Sequence, residues 1–307
     1  MLRDLIHIWG TVFAGLLGLA FGSFLNVCLS RWPAGESIVK PRSHCRNCGH
    51  VLAWWENVPL VSWLLLRGRC RNCGAWIGWR YILVEAALGG LWAFAVWNSL
   101  PAAANGFLPS ALLWYQAGEV ACTMALIWVL VCLAALDAEY LWLPDWITWP
   151  GIVLGITLGI LKLPVLVKLS ARTGLPLAEE IENSRYGIYT PALELVLGAI
   201  AAASVVLLIR WIYWILRRRE GIGLGDAKLM ALLAAWLGFA GALLAFGIGV
   251  FLGAGMAIVV LMRPRKQGDD GWGLVKLPLG TFLCIGGIVS SLWGPQIIAV
   301  YMRWVGM

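Results

Sequence analysis

The chain has 307 residues, of which 61% are hydrophobic and 13% charged, and its mean hydropathy is +0.82. That balance excludes an ordinary soluble domain and places most of the chain in a lipid bilayer. The net charge of +7 would by itself admit nucleic acid as a partner, but the Lys and Arg residues fall where membrane topology alone demands them, so no nucleic acid is expected.

Apolar runs of roughly the 18 to 25 residues needed to cross a hydrocarbon core occupy 5–29, 81–100, 112–136, 146–163, 192–216, 242–262 and 277–300, and a shorter one occupies 227–240. They predict an all-α polytopic membrane protein of about eight transmembrane helices. The division expected is a first helix over 1–30, a cytoplasmic insert over 31–80 and a multi-helix membrane domain over 81–307. Residues 1–29 read as an uncleaved helix rather than a signal peptide: Asp4 weakens a basic n-region, and Gly22-Ser23-Phe24-Leu25-Asn26 lacks a small-x-small cleavage pattern.

Orientation follows from the basic connections, because positive loops stay in the cytoplasm. The insert carries Arg31, Lys40, Arg42, Arg46, Arg67, Arg69, Arg71 and Arg80; Arg217 to Arg219 and the group Arg263, Arg265, Lys266, Lys276 mark two further connections. With eight spans all three lie on one face, and the 164–190 loop lies on the other. Asp137, Asp145 and Asp226 then sit at cytoplasmic helix ends.

The insert contains Cys45-x-x-Cys48 and Cys70-x-x-Cys73, two knuckles separated by 21 residues, each followed by a glycine, Gly49 and Gly74. Glycine permits the tight turn that aims two thiolates at one cation, and four thiolates close a tetrahedral structural zinc site with no open position for chemistry. A pair of disulfides is the alternative, and it requires an oxidising compartment that the topology denies. An insert with few large apolar residues also needs such a staple. His44 and His50 flank the first knuckle and read as bystanders, and Cys28, Cys122, Cys132 and Cys284 as small core residues of helices.

The run Gly221-x-Gly223-x-Gly225-Asp226 follows the 192–216 span. It has no preceding strand and no Gly-Lys-Ser/Thr ending, so it is not a phosphate loop. Its glycines supply backbone without side-chain bulk beside Asp226. Asp137 ends another span, where an anion opposes the helix dipole and no structural role is evident. An ionisable group at the hydrocarbon edge is costly unless it is solvated or paired, which marks both as functional candidates. Asp145, after Pro144, is explained as a helix cap, and Lys228 either pairs with this site or snorkels. Two carboxylates without a nearby nucleophilic Ser or Cys point to water activation by a pair sharing one proton, the chemistry of aspartic proteases. A redox protein using the Cys-x-x-Cys pairs and a transporter using the aspartates as ion sites are the other readings.

In combination and order these residues resemble the type 4 prepilin peptidases. The resemblance rests on Gly22-Ser23-Phe24-Leu25-Asn26 with Arg31 and Pro33; the double Cys-x-x-Cys block with Glu56-Asn57-Val58-Pro59, Ser62-Trp63 and Arg80-Tyr81 to Glu85; Asp137 to Leu143-Pro144-Asp145 with Thr148; and Gly223-x-Gly225-Asp226-x-Lys228-Leu229. It implies an aspartic membrane protease of the GxGD type in the bacterial inner membrane. Such an enzyme cleaves basic leaders from type IV prepilins or type II secretion pseudopilins at the cytoplasmic face, then methylates the new N-terminus from S-adenosylmethionine. Asp137 and Asp226 are the implied catalytic pair. Gly223, Gly225, Lys228, Asp145, Asn26 and Glu85 are expected to support the site or its substrates, with Asn26, Glu85 and Gly22 the candidates for methylation. A GxGD intramembrane protease without methyltransferase activity is the nearest alternative. The chain departs from the family in three places: Glu56 stands where Asp is usual, the polar stretch 162–190 lengthens the interval between the aspartates, and Pro278-Leu279-Gly280-Thr281 only partly matches the usual proline-phenylalanine-glycine-proline.

Overall fold

The computed structural model describes residues 2–99, 110–173, 189–218, 223–262 and 277–306. Among these the fold is helical, with α1 over Leu2–Arg31, α2 over Val61–Leu65, α3 over Arg80–Ser99, α4 over Ser110–Tyr140, α5 over Asp145–Thr173, α6 over Tyr189–Arg217, α7 over Leu224–Leu261 and α8 over Leu279–Val305. Extended pairing among the described residues is limited to two isolated bridges in the insert. Arg219, Glu220, Gly221, the basic group 263–276 and much of the polar stretch 162–190 lie outside the described residues.

Among the described residues six helices, α1, α3, α4, α6, α7 and α8, are long and apolar enough to cross a membrane. The 38 residues of α7 would extend about 57 Å as a straight helix, nearly twice a hydrocarbon core of about 30 Å. Gly238, at φ 73° and ψ 170°, breaks it. That break separates the two apolar runs 227–240 and 242–262. The helix α5 continues to Thr173 instead of stopping at 163.

The chain forms two compact units, Met1–Cys132 and Leu133–Met307, with the division inside α4. In the first unit α1 packs along α3. A Cβ at Gly18 would lie 2.5 Å from Leu88 O, and one at Gly22 2.7 Å from Glu85 Cα. Small residues at such a crossing let two backbones touch where lipid provides no hydrophobic drive between helices. The closeness brings Asn26 Nδ2 within 2.9 Å of Tyr81 O, to which it donates. Gly22 is thereby accounted for by packing.

In the second unit α7 is central, packed against α5, α6 and α8. Trp236 Nε1 donates to Gly151 O at 2.9 Å, fixing α7 on α5, and Ser290 Oγ donates to Gly241 O at 2.8 Å, fixing α8 on α7. Such bonds satisfy polar groups that lipid cannot. The last turn of α4 closes on Leu141, whose N–H donates to Asp137 O at 2.9 Å with φ at +52°.

Gly22→Val is expected to cost about 1–3 kcal/mol through overpacking of the α1–α3 crossing, read as a lower unfolding midpoint in detergent. Gly90→Ala adds a methyl that meets nothing within 4 Å and should leave the midpoint level or raise it. Equal effects of the two would refute the close-packing account.

Candidate functional site

The two knuckles of the insert fold as near copies. In each, a glycine in the left-handed region, Gly49 at φ 72° and Gly74 at φ 69°, closes the turn, its N–H donating at 2.9 Å to the carbonyl of the first cysteine. An antiparallel bridge, His44 with Val51 or Arg69 with Trp76, ties off each knuckle. The four sulfurs of Cys45, Cys48, Cys70 and Cys73 lie within 4.8 Å of one another, with Cys45 Sγ 3.8 Å from Cys73 Sγ and Cys48 Sγ 3.9 Å from Cys70 Sγ. Four sulfurs about 2.3 Å from a central zinc would have edges of about 3.8 Å. The cluster therefore has the dimensions of a tetrahedral thiolate site and could hold zinc.

Each knuckle also supports the other's thiolate. Asn47 Nδ2 donates to Cys73 Sγ and Asn72 Nδ2 to Cys48 Sγ, both at 3.6 Å. The Asn47 amide is the main reason the Cys73 thiol is pulled down to about 6, and the Cys48 backbone N–H is the main reason the Cys45 thiol lies below its ordinary value; both favour the thiolate that binds metal. His44 turns its Nδ1 to Arg42 O and His50 faces Glu56, so neither histidine joins the cluster.

Beside the cluster the first unit holds a cavity of about 360 Å³, with Cys45 and Cys70 in one wall and Asn26 and Glu85 among its other lining residues. Glu85 accepts from Leu60 N at 2.9 Å. The two supporting residues expected from sequence, Asn26 and Glu85, are thus brought together by the α1–α3 crossing.

Asp137 and Asp226 both lie in the second unit. Asp137 lies near the C-terminal end of α4 and is 5% exposed; its Oδ2 accepts the Thr281 N–H at 2.7 Å. The Thr281 hydroxyl is 3.1 Å from both Asp137 Oδ2 and Ala134 O and donates to one of them at a time. Thr281 is in the first turn of α8, so the Asp137 carboxylate faces the positive end of that helix. Asp226 is in the first turn of α7 and 8% exposed, and its Oδ2 accepts the Gly223 N–H at 3.3 Å. The two carboxylates are within electrostatic reach of each other.

Leu143 packs at this site against both glycine-bearing helix starts: a Cβ at Gly225 or at Gly280 would lie 3.1 Å from its Cδ1, and one at Gly280 would also press on Asp137 Oδ2 at 2.9 Å. Lys228 does not bind either member of the pair. Its Nζ donates to Asp145, which opens α5 with a largely exposed carboxylate. Asp145 accordingly ties α5 to α7 through its side chain.

Comparison with known proteins bears on both halves of the chain. The Bacterial Peptidase A24 N-terminal domain matches residues 16–99, and the Type IV leader peptidase family matches residues 124–258. A prepilin leader peptidase/N-methyltransferase of Pseudomonas aeruginosa is 30% identical over 95% of this chain and 93% of its own length. The chain belongs to the type IV leader peptidase family. Relatives with the same name in Burkholderia pseudomallei strain 1026b and Aeromonas hydrophila are each 32% identical, over 92% and 94% of this chain and 85% and 92% of their own. No solved structure matches significantly. Membership of the leader peptidase family favours the peptidase reading over the redox and transporter readings.

Five residues at these sites had no role assigned from sequence. Thr281 and Gly280 belong to a stretch that matches the leader peptidase motif only in part, so the donor to Asp137 was hidden. Leu143 reads as one apolar residue among many. Asn47 and Asn72 had a visible signal, the repeated Cys-Arg-Asn-Cys-Gly, which shows that the same amide recurs beside each cysteine pair.

Replacing Cys45 and Cys70 together with Ser should remove the bound metal, read by elemental analysis as a fall from about one zinc per chain toward none, with easier proteolysis of the insert. Metal content equal to wild type would refute the cluster as the site.

Proposed function

We propose that the chain is a membrane aspartic endopeptidase that removes the leader of type IV prepilins and pseudopilins and then methylates the new N-terminus. The names of its relatives support both activities. The observation that carries the peptidase reading is the pair Asp137 and Asp226, both buried, each receiving an N–H from the amino end of a helix and lying within electrostatic reach.

The chemistry follows from that pairing. Two neighbouring carboxylates hold one proton between them, so the ionised member takes a proton from water while the protonated member donates to the scissile carbonyl oxygen. The resulting tetrahedral intermediate collapses with return of a proton to the leaving amine, breaking the C–N bond. Gly223 leaves room for an extended substrate strand beside Asp226, Gly225 seats Leu143 against the start of α7, and Thr281 holds Asp137 in place. The Lys228–Asp145 pair positions α7, and with it Asp226, against α5.

The basic loops favour a cytoplasmic position for both aspartates, in a bacterial inner membrane where the basic leader of a membrane-inserted precursor would present its junction. Cys45, Cys48, Cys70 and Cys73 would hold a structural zinc that orders the insert over 31–80. S-adenosylmethionine supplies the methyl group of the second reaction.

The test is incubation of detergent-purified protein with a prepilin and S-adenosylmethionine, followed by mass spectrometry of the product N-terminus. Wild type should release the leader and add one methyl; Asp137→Asn and Asp226→Asn should each abolish cleavage while remaining folded, and cleavage by either variant would move the site elsewhere. Thr281→Val, which keeps the N–H and removes the hydroxyl, is expected to slow cleavage about tenfold, the worth of one hydrogen bond to a charged group. An unchanged rate would show that the backbone N–H alone positions Asp137.

A further inference from the structure

The insert carries apolar side chains where a water-facing lobe would carry polar ones. Leu64 and Leu65, in the five-residue helix α2, are 60% and 73% exposed, and Val61, Trp76 and Trp79 are also exposed. Exposed apolar surface gathered in one place marks an interaction site. This one is held out at some cost. Leu60, at φ 58°, precedes α2 and Arg67, at φ 52°, lies just past its end, both in the left-handed region and neither a glycine. Such backbone strain persists only where the surrounding structure enforces it.

Here the enforcing contacts lead to a spanning helix. Trp63, inside α2, has its ring 4.8 Å from that of Trp79 and 5.7 Å from that of Trp76, and its Nε1 donates to Ile77 O at 3.2 Å. The Leu60 N–H donates to Glu85 of α3 at 2.9 Å. Trp79 O accepts the Leu83 N–H at 3.0 Å, so Trp79 continues the exposed stripe of α3 formed by Leu83, Ala86 and Gly90. Steps of four, three and four residues keep that stripe on one face. Because α3 is long and apolar enough to cross the membrane, the stripe is the surface that lipid covers, and the tryptophans join the leucines of α2 to it. Two cations flank the patch: the Arg67 N–H donates to Leu64 O, and Arg69 is bridged to Trp76. Both arginines are exposed and, among the described residues, pair with no acidic side chain.

We propose that the insert is seated on the bilayer. Leu64 and Leu65 enter the boundary between headgroups and acyl chains in the leaflet where α3 begins, Trp76 and Trp79 lie in the same layer, and Arg67 and Arg69 meet lipid phosphates. Tryptophan is favoured at that depth because one end of its ring system is apolar and the other carries an N–H. Leucine gains by leaving water, and arginine adds attraction to an anionic surface. The basic leader of a precursor, the other candidate for this face, would be repelled by the same two arginines.

The experiment places the full-length protein in phosphatidylglycerol nanodiscs with a trace of lipid that carries a diazirine in its acyl chain. After illumination and digestion, label should appear on the peptide containing Leu64 and Leu65 and on the one containing Leu83, the internal standard for lipid contact. Leu64→Gln combined with Leu65→Gln should lower the α2 label about tenfold, through loss of two apolar side chains from the interface. Label at Leu83 and zinc content should not change, because α2 holds none of the four cysteines. With phosphatidylcholine as the bulk lipid the α2 label should fall, and Arg67→Gln with Arg69→Gln should erase that difference. An unlabelled α2 beside a labelled Leu83, or an α2 label that the glutamine pair leaves unchanged, would overturn the seating. Equal α2 label in the two lipids would overturn the part given to the arginines. An α2 that escapes lipid and crosslinks instead to an added prepilin would make this face a substrate dock and overturn the proposal.

Discussion

Two carboxylates can persist near each other at the edge of a bilayer because each is met by the amino end of a helix. Asp226 lies in the first turn of its own helix and receives the Gly223 N–H. Asp137 has the harder position, near the carboxyl end of α4, where the dipole disfavours an anion. The start of α8 solves this by bringing the Thr281 N–H to its Oδ2. The site therefore depends on where α8 begins, and Gly280 is the position at which a side chain would collide with that carboxylate.

Leu143 adds an apolar wall that touches both glycine positions, Gly225 and Gly280. Glycine at both places lets backbone and carboxylates come close without a side chain intervening, while the leucine limits water on that side. Burial of this kind strengthens hydrogen bonds and charge interactions together, which is the setting in which a carboxylate pair can share a proton.

The insert of the first unit is held by different means. It has little apolar core of its own, and its order comes from two knuckles whose glycine turns aim four sulfurs at one point, each knuckle's asparagine donating to a sulfur of the other. The same knuckles wall the cavity whose remaining lining comes partly from α1 and α3. Close backbone contact at Gly18 and Gly22 sets the spacing of those helices, so a small-residue packing motif in the membrane also fixes the depth at which Asn26, Tyr81 and Glu85 meet.

Local chemistry was legible in the sequence. Hydropathy gave the spanning segments, including the two halves of α7, because burial in lipid requires long apolar runs. Cysteine spacing gave the four-sulfur cluster, because two sulfurs three residues apart share one turn. Asp137 and Asp226 stood out because charge at the hydrocarbon edge is costly. Tertiary structure alone decided which donors meet those charges: that Thr281, distant in sequence, caps Asp137, and that Lys228 pairs with Asp145 and not with the aspartate pair. Hydrogen bonds between helices depend on the rotation and depth of each helix, which are fixed by the fit of glycines against neighbouring backbones. That fit is a property of pairs of surfaces, and no single stretch of sequence carries it.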